Sequence, residues 1–503
     1  MIASALDLFS AYGQITREHR VAWPTLASSG GAMKSRFQTT VLMGCSVFCG
    51  AVALGDDRPA AIEPFLRVQD QMGAVTHAVL VQRDGSTVFE HYGPDFGPGT
   101  PGQLYSVSKS VLALGVVAAV ERSLLQLGDS VCRWLDASVN PDVCGVRVID
   151  LLTMSSGLEW AEGPSGVALD SDATELMFGA GATDTVRFVM TRRIAHKPGT
   201  VFNYSTGDSA LLAAVLKKAV GGRIREFFQN SIFEKIGIRN PVWEEDRAGN
   251  LIGGASLFLT APDLAKIGQM MLRTGVGTLG RVVREDSVRM ILSASSMSKP
   301  LAYGLHWWLN APDPNREASP DNPYLSASAT SKTFAALGHW GQALVVVPEE
   351  NLVIVRIADD KQDPFDLDGL VARVRGIEVQ GSSRDARDGP ESSHSGGFAS
   401  LVGARRFDGT LPIIDQILGF GAKTWCSCRH VSKRSRPACN NAATLPDLPR
   451  LEYSQFTSVP GETGRPTQEL MIEGRTEGWA SAAAYRDGIG CMLTTNRAYR
   501  VAE

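Results

Sequence analysis

Residues 106–125, SVSKSVLALGVVAAVERSLL, read as one long apolar helix that opens on a serine and a lysine. A helix with so little polar surface has to be covered by the rest of the chain, so it fixes where the core lies. Ser106 and Lys109 are three residues apart, which puts them on one helix face within reach of each other. A serine hydroxyl is a poor nucleophile until a base takes its proton. A lysine can be that base only where desolvation keeps its amine neutral. The first helical turn adds free N–H groups and the positive end of the dipole, which favour negative charge on an attacked carbonyl oxygen. Alone, the pattern reads equally well as a serine cap and an exposed lysine. A second copy, Ser296-Met-Ser-Lys299, runs straight into Pro300 with no apolar helix after it, and is set aside.

Two further elements follow in the chain. Tyr204 lies in PGTVFNYSTGD (198–208), a turn leading into another apolar helix. A buried tyrosine beside a lysine can relay a proton; the alternative is a core tyrosine with a satisfied hydroxyl. Gly338-His339-Trp340-Gly341-Gln342 stands at the start of a strand. There an edge-strand N–H can serve an oxyanion; the alternative is a turn glycine with a core histidine and tryptophan. In this order the three elements are far more specific than any one of them.

Together they resemble the serine β-lactamase/penicillin-binding superfamily, on the branch of class C β-lactamases, family VIII esterases and 6-aminohexanoate-dimer hydrolases. Ser106 to Lys109 matches the S-x-x-K element, Tyr204-Ser205-Thr206 the Y-x-N element and His339-Trp340-Gly341 the K-T-G element. LLTMSSGLEW (151–160), GGASL (253–257), TAPDLAKIG (260–268) and GQALVVVP (341–348) are similar to the same branch, over roughly residues 70–360. The resemblance implies an α/β (α+β) fold, a central antiparallel sheet flanked by helices plus a mainly helical region. It also implies acylation of Ser106, then hydrolysis by water that Lys109 and Tyr204 activate. The oxyanion hole would be the Ser106 N–H and a strand N–H at about Gln342. Thr206 departs from the family's asparagine, and His339 from the lysine that engages a β-lactam carboxylate; a histidine is a weaker, titratable partner. Lys332-Thr333 is followed by Phe334, not glycine. These departures favour a serine hydrolase of the esterase or 6-aminohexanoate-dimer hydrolase type, cleaving a small-molecule ester or amide. A β-lactamase, a D,D-carboxypeptidase-type enzyme and a non-catalytic binding protein on the same scaffold are the alternatives. This chemistry needs no metal and no organic cofactor.

The chain has 503 residues, enough for a large domain with appendages. A net charge of −4 gives no basic footprint for nucleic acid. Residues 1–56 read as a leader, with a signal-peptide-like segment at 33–54: Lys34 and Arg36, an apolar run, then Ala51-Val-Ala53. Either Met33 is the true start or the leader is extended; a membrane anchor or a buried helix is the competing reading. Leu42-Met-Gly-Cys45 also looks like a lipoprotein box. A periplasmic or secreted location is expected. Residues 57–378 read as the hydrolase domain. In it, strands at 77–82 and 87–91 form a hairpin, helices cover 148–154, 209–220 and 263–273, and further strands fall at 303–308, 342–347 and 352–357. Residues 379–398 read as a polar linker. Residues 399–503 are a C-terminal extension with no long helix. Its GFGAKTWCSC (419–428) and AYRDGIGC (484–491) resemble the region upstream of a second such hydrolase. It is expected to be either a fusion to a truncated second gene or an extension of this one. Cys132 and Cys144 are near enough to pair. Cys426, Cys428, Cys439 and His430 fit no standard zinc spacing, leaving metal or thiols open.

Overall fold

The computed structural model describes residues 58–163, 171–296, 302–310, 326–361, 365–377 and 414–443, and C-terminal strand residues 452–457, 470–476, 479–486, 489–493 and 499–500. The leader, Cys45, the 379–398 linker and the lysine of the second Ser-x-x-Lys lie outside them.

Runs such as LVVV (344–347) and LVIV (352–355) are apolar at every position, although strand side chains alternate between faces. Both faces must therefore be covered. The central sheet has the order Ser86–Tyr92, Thr76–Arg83, Leu352–Ala358, Gln342–Val347, Phe334–Gly338, Trp308–Leu309. The pairings along it are antiparallel. On one face Leu80, Leu344, Val346, Val353 and Val355 join the main core, which holds the apolar helix Val107–Glu121. On the other, Val79, Val81, Val345 and Ile354 meet Ile62, Leu66, Leu370 and Val374. Those four come from helices Arg58–Gln71 and Leu367–Arg375, at the two ends of the hydrolase segment. The expected hairpin is there, closed by Asp84 and Gly85 at positive φ. Helix Ala261–Leu272 is capped by the Thr260 hydroxyl on Asp263 N, with Pro262 in its first turn.

Two elements differ from the sequence reading. Residues 303–308 do not form a strand of their own; a two-residue strand starts only at Trp308. Tyr303 bridges Trp308 across a chain reversal in which His306 takes φ 58. The buried His306 ring holds this turn, its nitrogens 3.2 Å from Lys109 O and Leu151 O. The second difference is the C-terminal extension, which contains a 13-residue helix, Ile414–Cys426. It packs on helix Asp172–Phe178 and on a sheet ordered Glu452–Thr457, Leu470–Thr476, Trp479–Arg486, Gly490–Leu493. The extension lies in the same compact unit as the hydrolase segment.

The six cysteines among the described residues are paired in disulfides: Cys132–Cys144, Cys426–Cys491 and Cys428–Cys439. The latter two knit the extension together. A buried ionic contact joins it to the hydrolase segment. Glu244, fully buried, accepts from Ser427 Oγ at 2.5 Å and Cys491 N at 3.0 Å, and Lys423 Nζ lies 3.5 Å from its other oxygen. A buried carboxylate is tolerated only when so surrounded. Replacing the cation, Lys423→Met, is expected to cost about 3 kcal/mol of stability. The denaturant midpoint of the full chain reads this, and an unchanged midpoint would mean the extension is not held there.

Candidate active site

Ser106 sits at the N-terminal boundary of helix Val107–Glu121, yet its hydroxyl makes no capping bond. It accepts instead from Lys109 Nζ at 2.9 Å. Tyr105, just before it, is held at φ 44, a conformation disfavoured for a bulky residue. Lys109 is not the exposed lysine of the bland reading: it is 1% exposed. Its ammonium donates to Ser106 Oγ, Thr206 Oγ1 and Gly254 O, each at 2.9 Å. Three acceptors match its three protons. Burial still disfavours the charge and pushes its pKa down to about 8, against the opposing pull of Glu162 and Asp208. Gly254 leaves room for this approach. A Cβ there would lie 3.0 Å from Thr206 Cγ2 and 3.4 Å from Lys109 Nζ.

Tyr204 comes from the turn before helix Thr206–Ala219 and Thr206 is the helix's first residue, with Ser205 as the cap accepting from Asp208 N. Tyr204 lines the same cavity as Ser106, and its ring lies 5.0 Å from Lys109 Nζ and stacks on Trp308. Burial raises the phenol's pKa, so it carries its proton. The stretch 151–160 buttresses this turn: Ser156 Oγ donates to Asp208 at 2.6 Å, and Ser205 N meets Met154 Sδ.

Glu162 is a site residue that the sequence reading missed. It accepts Thr206 N at 2.7 Å, the Thr206 hydroxyl and Trp160 Nε1, and lies 3.9 Å from Lys109 Nζ. Thr206, read in sequence only as a lost asparagine, therefore passes hydrogen bonds from Lys109 to Glu162. Nothing in the WAEG context marked this glutamate, because Thr206 and Lys109, which tie it to the site, lie over forty residues away in the chain.

His339, Trp340 and Gly341 form a tight turn between strands Phe334–Gly338 and Gln342–Val347, with Trp340 at φ 58 and Gly341 at φ 84. The Gln342 strand is interior to the sheet, not at its edge. Its side-chain amide is consumed by the carbonyls of His339, Trp340 and Ala358. A Cβ on Gly338 would lie 2.3 Å from Leu104 O, so only glycine lets this strand close on the segment entering Ser106. Burial holds the His339 pKa down to about 4, which leaves the ring neutral near pH 7.

Ser106, Tyr204, Thr206, Glu162 and the 338–342 turn line one cavity of about 520 Å³. An antiparallel sheet wrapped by helices, with a serine and a desolvated lysine at the start of its central helix, defines a serine hydrolase of the penicillin-recognising class. The chain belongs to the β-lactamase family, whose model matches residues 65–375. It is 25% identical over 294 residues to the 6-aminohexanoate-dimer hydrolase of Paenarthrobacter ureafaciens, covering 56% of this chain and 72% of that protein. Its fold is similar to that of EstCE1, described as a hydrolase with promiscuous acyltransferase activity. That match has TM-score 0.51 and 17% identity, covering 64% of this chain and 98% of the other. The protein is thus a β-lactamase-family hydrolase, related to 6-aminohexanoate-dimer hydrolase.

The negative charge of Glu162 raises the Lys109 pKa. Glu162→Gln should therefore move the rising limb of Ser106 reactivity to lower pH. Labelling by a fluorophosphonate probe across pH measures this; an unmoved limb, or one moved upward, would remove Glu162 from the lysine's electrostatics.

Proposed function

We propose that this protein hydrolyses an ester or amide through an acyl-enzyme on Ser106. The observation that carries the reading is the buried Lys109 amine 2.9 Å from the Ser106 hydroxyl, with its pKa lowered to about 8. A neutral Lys109 takes the Ser106 proton as Oγ attacks the carbonyl carbon. The oxyanion is held by backbone N–H groups of Ser106 and of the 339–342 turn. The proton passes from Lys109 through Tyr204 to the leaving oxygen or nitrogen. Water then loses a proton to the same pair, attacks the acyl carbon and frees Ser106. Glu162, acting through Thr206, positions Lys109. The lowered lysine pKa predicts that kcat/KM rises with pH through about 8, since only the free amine accepts a proton.

A β-lactamase is disfavoured because His339 is neutral near pH 7 and offers no cation to a carboxylate. Export is part of the proposal: the signal-like segment at 33–54 and three disulfides both suit an oxidising compartment.

The test is hydrolysis of short p-nitrophenyl esters, a chromogenic cephalosporin and 6-aminohexanoate dimer by wild type, Ser106→Ala and Lys109→Ala. Both variants are expected to fold and to lose activity by at least about 10³-fold. Activity retained in either would sink the corresponding assignment. Silence of the folded wild type on all three substrates would favour a binding protein on this scaffold.

A further inference from the structure

The cavity at Ser106 is not completed by the hydrolase segment. Phe420, from the C-terminal helix, is buried in its lining. Its ring meets Phe178 at 5.2 Å and Trp340 at 5.6 Å, both edge-on, and Trp340 meets Tyr105 at 5.3 Å. These four aromatics form a cluster of their own beside the nucleophile. Phe420 is held there by the Glu244 contacts and the two disulfides of the extension.

The charges on the lining are already matched. Among the described residues these are Glu162, bound to Thr206 and Trp160, and the pair Arg356–Asp360. The Arg356 guanidinium is engaged by both Asp360 oxygens, by Gly341 O and by Thr76 Oγ1, and lies 3.6 Å from the Phe365 ring centre. A substrate carboxylate would find its cation taken, and a substrate ammonium would meet rings and a carboxylate already hydrogen-bonded. Two buried atoms of the described lining have no partner: Arg356 Nε, whose charge Asp360 already balances, and the Trp340 indole N–H. The indole can donate to a neutral oxygen but cannot balance a charge.

We infer that the site selects esters or amides whose recognition group is uncharged and apolar, an alkyl chain or aryl ring, and that Phe420 of the C-terminal extension forms the wall that selects it. This rests on the Ser106 acyl-enzyme reading. The cavity's size suits such a group. Phe420 is a specificity residue, with no group that could move a proton.

The experiment uses the full chain and three esters of equal length: p-nitrophenyl hexanoate, p-nitrophenyl 6-aminohexanoate and mono-p-nitrophenyl adipate. Near neutral pH, kcat/KM for hexanoate should exceed both charged esters by about tenfold or more. Equal or greater activity on a charged ester overturns the inference. In Phe420→Ala, the hexanoate-over-acetate ratio of kcat/KM should fall by about tenfold. A ratio within about twofold of wild type removes the extension from the site. If Phe420→Ala does not fold, Phe178→Leu, on the opposite side of the same ring contact, gives the same reading. Ester hydrolysis that survives Ser106→Ala fails the acyl-enzyme reading itself, whereas Ser106-dependent hydrolysis indifferent to charge fails only the present inference.

Discussion

The structure depends on keeping one amine out of water. Lys109 stands in the first turn of a helix that is buried along most of its length, and its neighbours are arranged to receive three protons and no more. Desolvation lowers its affinity for a proton, while Glu162 and Asp208 keep the ion from being prohibitively costly. The balance leaves the pKa at about 8, so the free amine is far more accessible near neutral pH than it is for a lysine in water. Much else serves this: Gly254 admits a carbonyl to the ammonium, Thr206 ties it to Glu162, and the Tyr204 ring covers it.

The sheet has a comparable role for the electrophile. Its Phe334–Gly338 strand approaches the Ser106 segment because Gly338 has no Cβ, and the 339–341 turn then reverses the chain beside the cavity. Arg356 and Asp360 lie under that turn, and Gln342 grips its carbonyls from below. The turn we propose as part of the oxyanion site is thus held by the fold itself, the condition under which backbone donors stabilise a transition state without reorganising.

The extension changes how the cavity is understood. Glu244 belongs to the hydrolase segment, yet its carboxylate is satisfied by groups near Cys426 and Cys491. Its carboxyl group is buried against these residues, so the two parts are coupled through this polar contact as well as through apolar packing. That coupling carries Phe420 to the cavity.

Several features were legible in the sequence because their signals are local. The apolar run from Val107, its two polar residues three apart, the Thr260 cap and the hairpin at Asp84-Gly85 each reside within a few neighbouring residues. The order of Ser106, Tyr204 and the 338–342 turn, read as a resemblance, carried the fold. What failed was nonlocal. His306 reverses the chain at a place that looks like a strand, because its ring finds carbonyls on two other elements. Glu162 and Phe420 are an ordinary glutamate and phenylalanine until folding places them against Lys109 and Trp340. Sequence by itself marked the candidate nucleophile, the candidate base and the helix that presents them, since periodicity and hydropathy act over short stretches. Only the tertiary structure decided the base's proton affinity, the neutrality of His339 and the apolar wall of the cavity. Each of these depends on how water is excluded, and that is set by segments far apart in the chain.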